Sequence, residues 1–171
     1  QIVSDQGLVI TNHHCSFGMI QAHSSLEHNY LRDGFWAQSM ADELVNPKIT
    51  ASILVRMEDV TDKINAGLNA GMSESERTKK VNEICRKLEA EAVKGTNLAA
   101  NIKPYFNGNQ YFLSVFKIFR DVRLVGAPNS AIGKFGGDTD NWTWPRHTGD
   151  FSVLRIYAGP DNEPAAISDK N

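Results

Sequence analysis

A short apolar segment that runs directly into two histidines and a cysteine is the feature that most constrains this chain. The segment reads Gly7-Leu8-Val9-Ile10-Thr11-Asn12-His13-His14-Cys15. Leu8 and Ile10 alternate with Val9 and Thr11, and this period of two predicts a β-strand with two different faces. His14 follows the end of that strand, with rigid backbone behind it. The segment therefore predicts a strand that presents a histidine at the edge of a cleft.

The rest of the chain predicts short strands joined by turns. Strands are expected at about residues 50–57, 111–119, 122–125 and 151–157, and Asn107-Gly108 between aromatic pairs indicates a hairpin. Residues 16–32 are polar and predict a loop, whereas Gly34-Phe35-Trp36-Ala37 predicts an aromatic part of the core. A short helix is expected to run through Leu44 and to end before Pro47, because a proline ring cannot continue a helix.

One helix is clearly indicated, and it begins at Ser73. Ser73 and Glu76 have the spacing of a capping box, in which each side chain satisfies a free backbone N–H. Gly95 stands where a helix end is expected. One face of this helix is apolar at helical spacing, formed by Val81, Ile84, Cys85, Leu88 and Ala92. The fold class predicted is therefore mainly β, a β-barrel with a helical insertion at about 58–95.

Composition excludes two broad classes of partner. The net charge is −2 and the basic residues are scattered, so no basic face predicts nucleic-acid binding. No apolar run approaches the roughly 18 residues that a membrane span needs. The first residues lack the basic and apolar regions of a signal peptide. We expect the 171-residue sequence to be a fragment of a longer protein, truncated at both ends.

The two cysteines, Cys15 and Cys85, do not define a disulfide framework by number alone. Cys85 lies in the apolar helix face and is read as a small buried hydrophobe. A zinc cluster from His13, His14, Cys15, His23 and His28 is an alternative to consider. It is disfavoured, because three adjacent ligands do not converge easily on one tetrahedral ion. No metal and no organic cofactor are predicted.

His14 and Asp150, which is far from it in the sequence, are residues of the types found in a Ser-His-Asp site, and each lies next to the end of a predicted strand. Histidine suits the role of general base because its ordinary pKa lies near neutrality, and a carboxylate fixes its tautomer. Asp150 precedes the predicted strand at 151–157, with Gly149 allowing a tight turn before it. Asp138 and Asp140 are competing candidates in a glycine-rich turn. No serine of this chain lies in a Gly-x-Ser-Gly turn, so the nucleophile is not among these residues.

Several motifs together resemble one peptidase family. They are Thr11-Asn12-His13-His14-Cys15, Gly34-Phe35-Trp36-Ala37, Asp121-Val122-Arg123-Leu124-Val125, and the long block from Gly133 through Asn141, Trp142 and Asp150 to Phe151. Together, over essentially the whole chain, they resemble the bacterial dipeptidyl-peptidase 7 and 11 family of chymotrypsin-fold serine exopeptidases. The chain resembles the N-terminal barrel region of such an enzyme, without its serine.

The resemblance implies specific roles for particular residues. His14 would be the general base and Asp150 the acid that orients it. Asn141 and Trp142 match positions that hold the free amino group of the substrate, which needs acceptors and an aromatic face. Arg146 is a candidate for support of that loop.

The resemblance also has implications for the whole enzyme. It would remove N-terminal dipeptides from peptide substrates through an acyl-enzyme, in the bacterial periplasm or outside the cell, and the resemblance leaves a homodimer open. Residues 1–171 alone are expected to be inactive. A catalytically inactive, peptide-binding protein is the alternative, which the presence or absence of a Gly-Ser-Gly turn beyond Asn171 would decide.

Overall fold

The computed structural model describes residues 1–133, 144 and 148–168, which form two compact units. The first unit comprises Gln1–Ala51 and Phe119–Asn171, and the second comprises Ser52–Ile118. In chain order the strands are β1 (Leu8–Thr11), β2 (Phe35–Trp36), β3 (Leu44–Val45), β4 (Ala51–Asp59), β5 (Ala99–Tyr105), β6 (Gln110–Phe119), β7 (Asp121–Ala127) and β8 (Ser152–Tyr157). The helices are α1 (His13–His23), α2 (Tyr30–Asp33), α3 (Thr61–Asn65), α4 (Glu74–Ala92) and α5 (Ser130–Gly133).

The first unit is organised by a five-stranded antiparallel sheet. Strand β8 lies between β1 and β7, and both β2 and β3 pair with the other side of β7. Thr11, the last residue of β1, stands opposite Ser152, the first residue of β8. Because the two strands are antiparallel, the residues after Thr11 and those before Ser152 leave the sheet at the same edge. This register brings the His14 and Asp150 regions together.

The core of the first unit lies between helix α1 and the sheet. Its fully or almost fully buried side chains are Ile20, Val122, Leu124, Ala127 and Leu154. Ile20 comes from α1 and the other four from β7 and β8. Burial of each large aliphatic side chain stabilises a fold by about 1.5–3 kcal/mol, so this cluster fixes α1 against the strands on which the candidate site is built.

The prediction of a loop at residues 16–32 is wrong, because α1 and α2 fill most of that range. The buried positions in α1 are His13, Ser16 and Ile20, which have the spacing of one helix face. Two of these three are polar, so the segment lacks the apolar periodicity by which a helix is recognised in a sequence. His14 is therefore in the first turn of a helix that follows the strand, not at the strand end itself.

A buried ionic network joins β7, β8 and the residue before β3. Arg123 donates two hydrogen bonds to Asp121, at 2.8 and 2.6 Å, and its guanidinium lies 4.2 Å from the ring centre of Tyr157. The Tyr157 hydroxyl donates to Glu43 at 2.8 Å, and Arg155 donates to the other Glu43 oxygen at 2.8 Å. Burial and the Glu43 carboxylate raise the pKa of Tyr157 to about 12. These paired charges hold the far end of β8 to its neighbours.

The second unit packs α3 and α4 on a three-stranded sheet with the order β4-β6-β5. The predicted capping box is confirmed, since Ser73 and Glu76 exchange hydrogen bonds at the start of α4. The predicted apolar face of α4, which includes Cys85, packs against a core of Val60, Ile64, Tyr111, Leu113 and Val115. The hairpin is also confirmed: β5 and β6 are antiparallel and joined at Asn107, which adopts a left-handed backbone with φ 58°.

The described residues form a mixed α and β structure with two open antiparallel sheets, and the predicted closed barrel is not seen in them. Trp36 was expected in the core but is 52% exposed, while Phe35 is partly buried. The predicted helix through Leu44 is also wrong: Met40–Asp42 form one 3₁₀ turn, and Leu44–Val45 form β3. Across the described ranges, no helix is long and apolar enough to cross a membrane.

Candidate functional site

The candidate site forms where β1 ends and β8 begins. Asn12 is the residue before helix α1, and His14 is the second residue of that helix. Asp150 lies two residues before the start of β8. The antiparallel pairing of Thr11 with Ser152 brings these groups together although 136 residues separate His14 from Asp150.

His14 and Asp150 form a direct hydrogen bond between side chains. Nδ1 of His14 lies 2.8 Å from Oδ2 of Asp150. A carboxylate only accepts, so Nδ1 carries the proton, and in the neutral ring Nε2 is the nitrogen with the lone pair. The His14 side chain is 42% exposed and that of Asp150 is 12% exposed. The ring is therefore oriented by a largely buried acid, with a basic nitrogen available to a proton donor.

Asp150 also caps the helix that carries His14. Its Oδ1 accepts the backbone N–H of His14 at 3.1 Å, and its Oδ2 accepts from the Asn12 side chain at 3.0 Å. The first turn of α1 contains no acidic residue of its own, and the Asn12 side chain makes no cap hydrogen bond. A carboxylate at a helix N-terminus satisfies a free N–H and interacts favourably with the helix dipole. One side chain thus fixes both the backbone and the imidazole of His14.

The pKa of Asp150 is lowered below its ordinary value. Partial burial alone would raise this pKa, because it disfavours the charged form. The backbone N–H of His14, the Asn12 amide and the His14 imidazole all act in the opposite direction and together prevail. Asp150 is therefore a carboxylate at neutral pH, as its role as acceptor requires.

His13 is separate from this pair in both position and environment. Its side chain is fully buried, and Nε2 lies 3.1 Å from the carbonyl oxygen of Pro128. Because that oxygen only accepts, Nε2 carries the proton. Burial lowers the pKa of His13, more than the Pro128 carbonyl and the Asp150 charge raise it. His13 is thus a neutral, buried histidine beside an exposed one.

The structure describes only some of the other residues that the sequence analysis singled out. Asn141, Trp142 and Arg146, predicted to bind or support the substrate amino group, lie outside the described residues. Cys15 is a free, exposed thiol, and Cys85 is a free thiol whose pKa is raised by burial and by the nearby Glu89.

The zinc alternative finds no geometric support in the part of the chain that the structure describes. No group of three or more His, Cys, Asp or Glu side chains within it is arranged to hold a metal ion. His23 instead contacts the side-chain oxygen of Asn46 at 3.1 Å, and His28 stacks on Tyr30.

Asn12 is a site residue that the sequence reasoning did not single out. Its amide reaches the Asp150 carboxylate and, at 3.4 Å, the Asp150 carbonyl. Asn is a favoured residue directly before a helix, so a helix beginning at His13 would have drawn attention to it. That signal was missed because the helix itself was predicted as a loop.

Comparison with known proteins identifies the family. The model of the family described as Peptidase S46 matches residues 1–171. This chain belongs to the peptidase S46 family. The match covers the entire sequence, including both the strand-to-helix segment with His14 and the segment before β8 with Asp150.

Several S46 relatives are named for their activity. The chain is 50% identical over 169 residues to a dipeptidyl-peptidase 7 of Porphyromonas gingivalis, covering 99% of this chain and 24% of that protein. It is 49% identical over 171 residues to an Asp/Glu-specific dipeptidyl-peptidase of Flavobacterium psychrophilum, covering 100% and 24%. The chain therefore spans about a quarter of the length of these S46 relatives.

Solved structures of S46 proteins agree with this assignment. The crystal structure of Porphyromonas endodontalis DPP11 is similar with a TM-score of 0.81 and 45% identity, over 99% of this chain and 24% of that chain. The structure of the same protein with the dipeptide Arg-Glu is similar with a TM-score of 0.76 and 46% identity, over 99% and 26%. The fold of this region is thus that of the corresponding part of DPP11.

Proposed function

We propose that this chain supplies the general base and its orienting acid to a serine-type dipeptidyl-peptidase. The observation that carries the proposal is the His14–Asp150 hydrogen bond of 2.8 Å, in a chain that belongs to peptidase S46. In the proposed reaction His14 removes the proton of a serine hydroxyl through Nε2 and later gives it to the leaving amine. Asp150 keeps Nδ1 protonated and stabilises the imidazolium that forms.

The nucleophile and the oxyanion-binding groups are proposed to come from elsewhere in a longer protein. The relatives named as dipeptidyl-peptidases are about four times as long as the matched region, which covers 24% of them. No serine of this chain occupies a glycine-flanked turn of the kind that a nucleophile uses. The 171 residues alone are therefore expected not to cleave peptides.

Release of two residues at a time needs a group that recognises the free amino terminus of the substrate. We assign this role to Asn141 and Trp142, with Arg146 in a supporting role. An ammonium group is bound by polar acceptors and by the face of an aromatic ring. This assignment rests on the sequence motif and its resemblance to the dipeptidyl-peptidases.

The proposal is tested with the full-length protein that carries this chain. Fluorophore release is measured from dipeptidyl conjugates with a free amino group and from their N-acetylated counterparts. The conjugates include Asp and Glu next to the fluorophore, because one relative is named Asp/Glu-specific. Cleavage of the free form only, lost in His14→Ala, is the expected result.

Two other outcomes would contradict parts of the proposal. Equal cleavage of the free and acetylated forms would indicate an endopeptidase and remove the role given to Asn141 and Trp142. Absence of cleavage across the whole panel would favour a peptide-binding protein without activity. The His23→Met variant is the control, because His23 lies in the same helix and contacts Asn46 rather than Asp150.

A further inference from the structure

The His14–Asp150 pair is part of a ring of contacts, which also includes His13, a short turn and the residues directly before Asp150. The turn comprises residues 128–133 and includes helix α5. We propose that His13 is a positioning residue that holds this turn, and through it the residues before Asp150, at a fixed place relative to His14. The inference rests on the proposed function for its effect on catalysis, but the ring itself is a structural feature.

The first half of the ring is the contact between His13 and the 128–133 turn. Nε2 of His13 donates to the carbonyl of Pro128 at 3.1 Å. The imidazole of His13 also packs directly on Gly133, where an added Cβ would lie 2.3 Å from the imidazole Cδ2. His13 is therefore held at both ends of the turn, at its first residue by a hydrogen bond and at its last by close packing.

The second half of the ring joins the same turn to the residues before Asp150. The carbonyl of Ile132 accepts from the Thr148 hydroxyl at 3.0 Å and from the Gly149 backbone N–H at 3.3 Å. A Cβ at Gly149 would lie 3.1 Å from the Ile132 side chain, so Gly149 packs closely against that side chain. Thr148 and Gly149 lead directly into Asp150, which completes the ring through its bonds to His14.

The turn itself is rigid enough to transmit this restraint. The Asn129 carbonyl accepts the backbone N–H groups of Ile132 and Gly133, at 3.1 and 3.0 Å, and the Asn129 side chain also accepts from Ile132 at 3.3 Å. Every link of the ring is thus a hydrogen bond, a packing contact or a covalent bond. Among the described residues, His13 and Thr148 are the two side chains outside the turn that donate hydrogen bonds to it, so removal of either should loosen the same geometry.

The functional consequence follows from the sensitivity of proton transfer to distance. A misplacement of about 1 Å in a catalytic group can lower the rate by about 100-fold. The His14–Asp150 bond needs the helix start and the β8 entrance to keep their separation, and the sheet pairing alone ends at Thr11 and Ser152. The ring extends that restraint beyond the sheet edge to the reacting groups.

The test uses variants of the full-length protein. His13→Met removes the donor and keeps an unbranched apolar side chain, whereas His13→Gln restores an N–H donor about as far from the backbone as Nε2. We expect His13→Met to lower kcat by at least about tenfold with KM changed less than about threefold. His13→Gln should recover most of that loss, and His23→Met should change neither constant.

Thr148→Val provides an independent cut of the same ring. It should lower kcat in the same direction, and the double variant with His13→Met should lose less than the product of the two single losses, because both changes loosen the same ring. Additive losses, a change in KM alone, or a kcat loss in His13→Gln equal to that in His13→Met would each overturn the proposal.

A measurement without substrate separates this inference from the proposed function. The Nδ1 proton of His14, hydrogen-bonded to Asp150, should give a low-field proton NMR resonance, assigned by its loss in His14→Ala. We expect that resonance to broaden or shift in His13→Met and Thr148→Val and to persist in His13→Gln and His23→Met. Should the full-length protein cleave no dipeptide while this pattern is seen, the proposed function fails and the ring stands. An unchanged resonance in His13→Met would refute the ring whatever the activity.

Discussion

Replacement of Asp150 by asparagine is the most informative single perturbation of the candidate site. The Asp150 carboxylate accepts three hydrogen bonds: from the backbone N–H of His14, the imidazole Nδ1 of His14, and the Asn12 amide. An asparagine at this position has one acceptor oxygen and one NH₂ donor. In either orientation of the amide, its NH₂ group faces a donor that the carboxylate had satisfied.

The two orientations have different consequences for His14. With the oxygen toward the imidazole, the backbone N–H of His14 loses its acceptor, and the cap of α1 is lost. With the oxygen toward the backbone, the NH₂ faces Nδ1 and drives the proton to Nε2, so that the base is no longer available. A hydrogen bond to a charged group is worth about 1.5–3 kcal/mol, so the change should also destabilise the fold by about that amount.

We expect the Asp150→Asn substitution to lower kcat of the full-length protein by about 10⁴, as in the chymotrypsin type case of the same triad. The assay is fluorophore release from a free dipeptidyl substrate, with urea unfolding measured in parallel. Asn12→Ala is the matched control, since it removes one donor to the same carboxylate without changing the imidazole tautomer. It should lose no more than about 10- to 100-fold. A loss below about tenfold for Asp150→Asn itself would refute the orienting role.

Three further predictions concern stability, each measured by chemical unfolding of the full-length protein. Gly126→Ala should destabilise the fold by about 1–3 kcal/mol, because the added Cβ would lie 2.3 Å from the Trp36 ring. The control is Gly18→Ala, whose added Cβ has nothing within 4 Å and which should be neutral or stabilising. Ser73→Ala should cost about 1 kcal/mol through loss of the α4 cap, and no change would contradict the capping box. The pKa of His13 is lowered in the folded protein, so as pH falls below the ordinary histidine value of 6.5 the unfolded chain takes up a proton that the folded protein does not. The free energy of unfolding should therefore decline as pH falls from that value. His13→Gln should flatten that decline, and an equally steep decline would show that His13 does not cause it.

Local patterns in the sequence located two main features of the second unit. Helix α4 was predicted by its cap and apolar face, and the hairpin by Asn107-Gly108, because each depends on residues a few positions apart. The same reasoning located β4 and β8 to within a residue or two. It failed for α1, where His13 and Ser16 take the buried positions that apolar residues normally occupy. A test of apolar periodicity does not find a helix in which two of the three buried residues are polar.

The candidate site was predicted in its residue types but not in its construction. The sequence indicated that His14 and Asp150 belong together, and the family match covers both. It did not show that Asp150 caps α1, that Asn12 shares the carboxylate, or that the 128–133 turn closes a ring behind the pair.

The sequence by itself thus determined the family, most strands, the capped helix and the two titratable groups to examine, because these follow from local patterns and short motifs. The tertiary structure alone decided that His14 is oriented by its helix start, and that buried His13 and Arg123 find partners in distant segments, at Pro128 and Ala165. The physical reason is separation along the chain. The antiparallel register of β1 and β8 joins groups 136 residues apart, and no local pattern encodes that register.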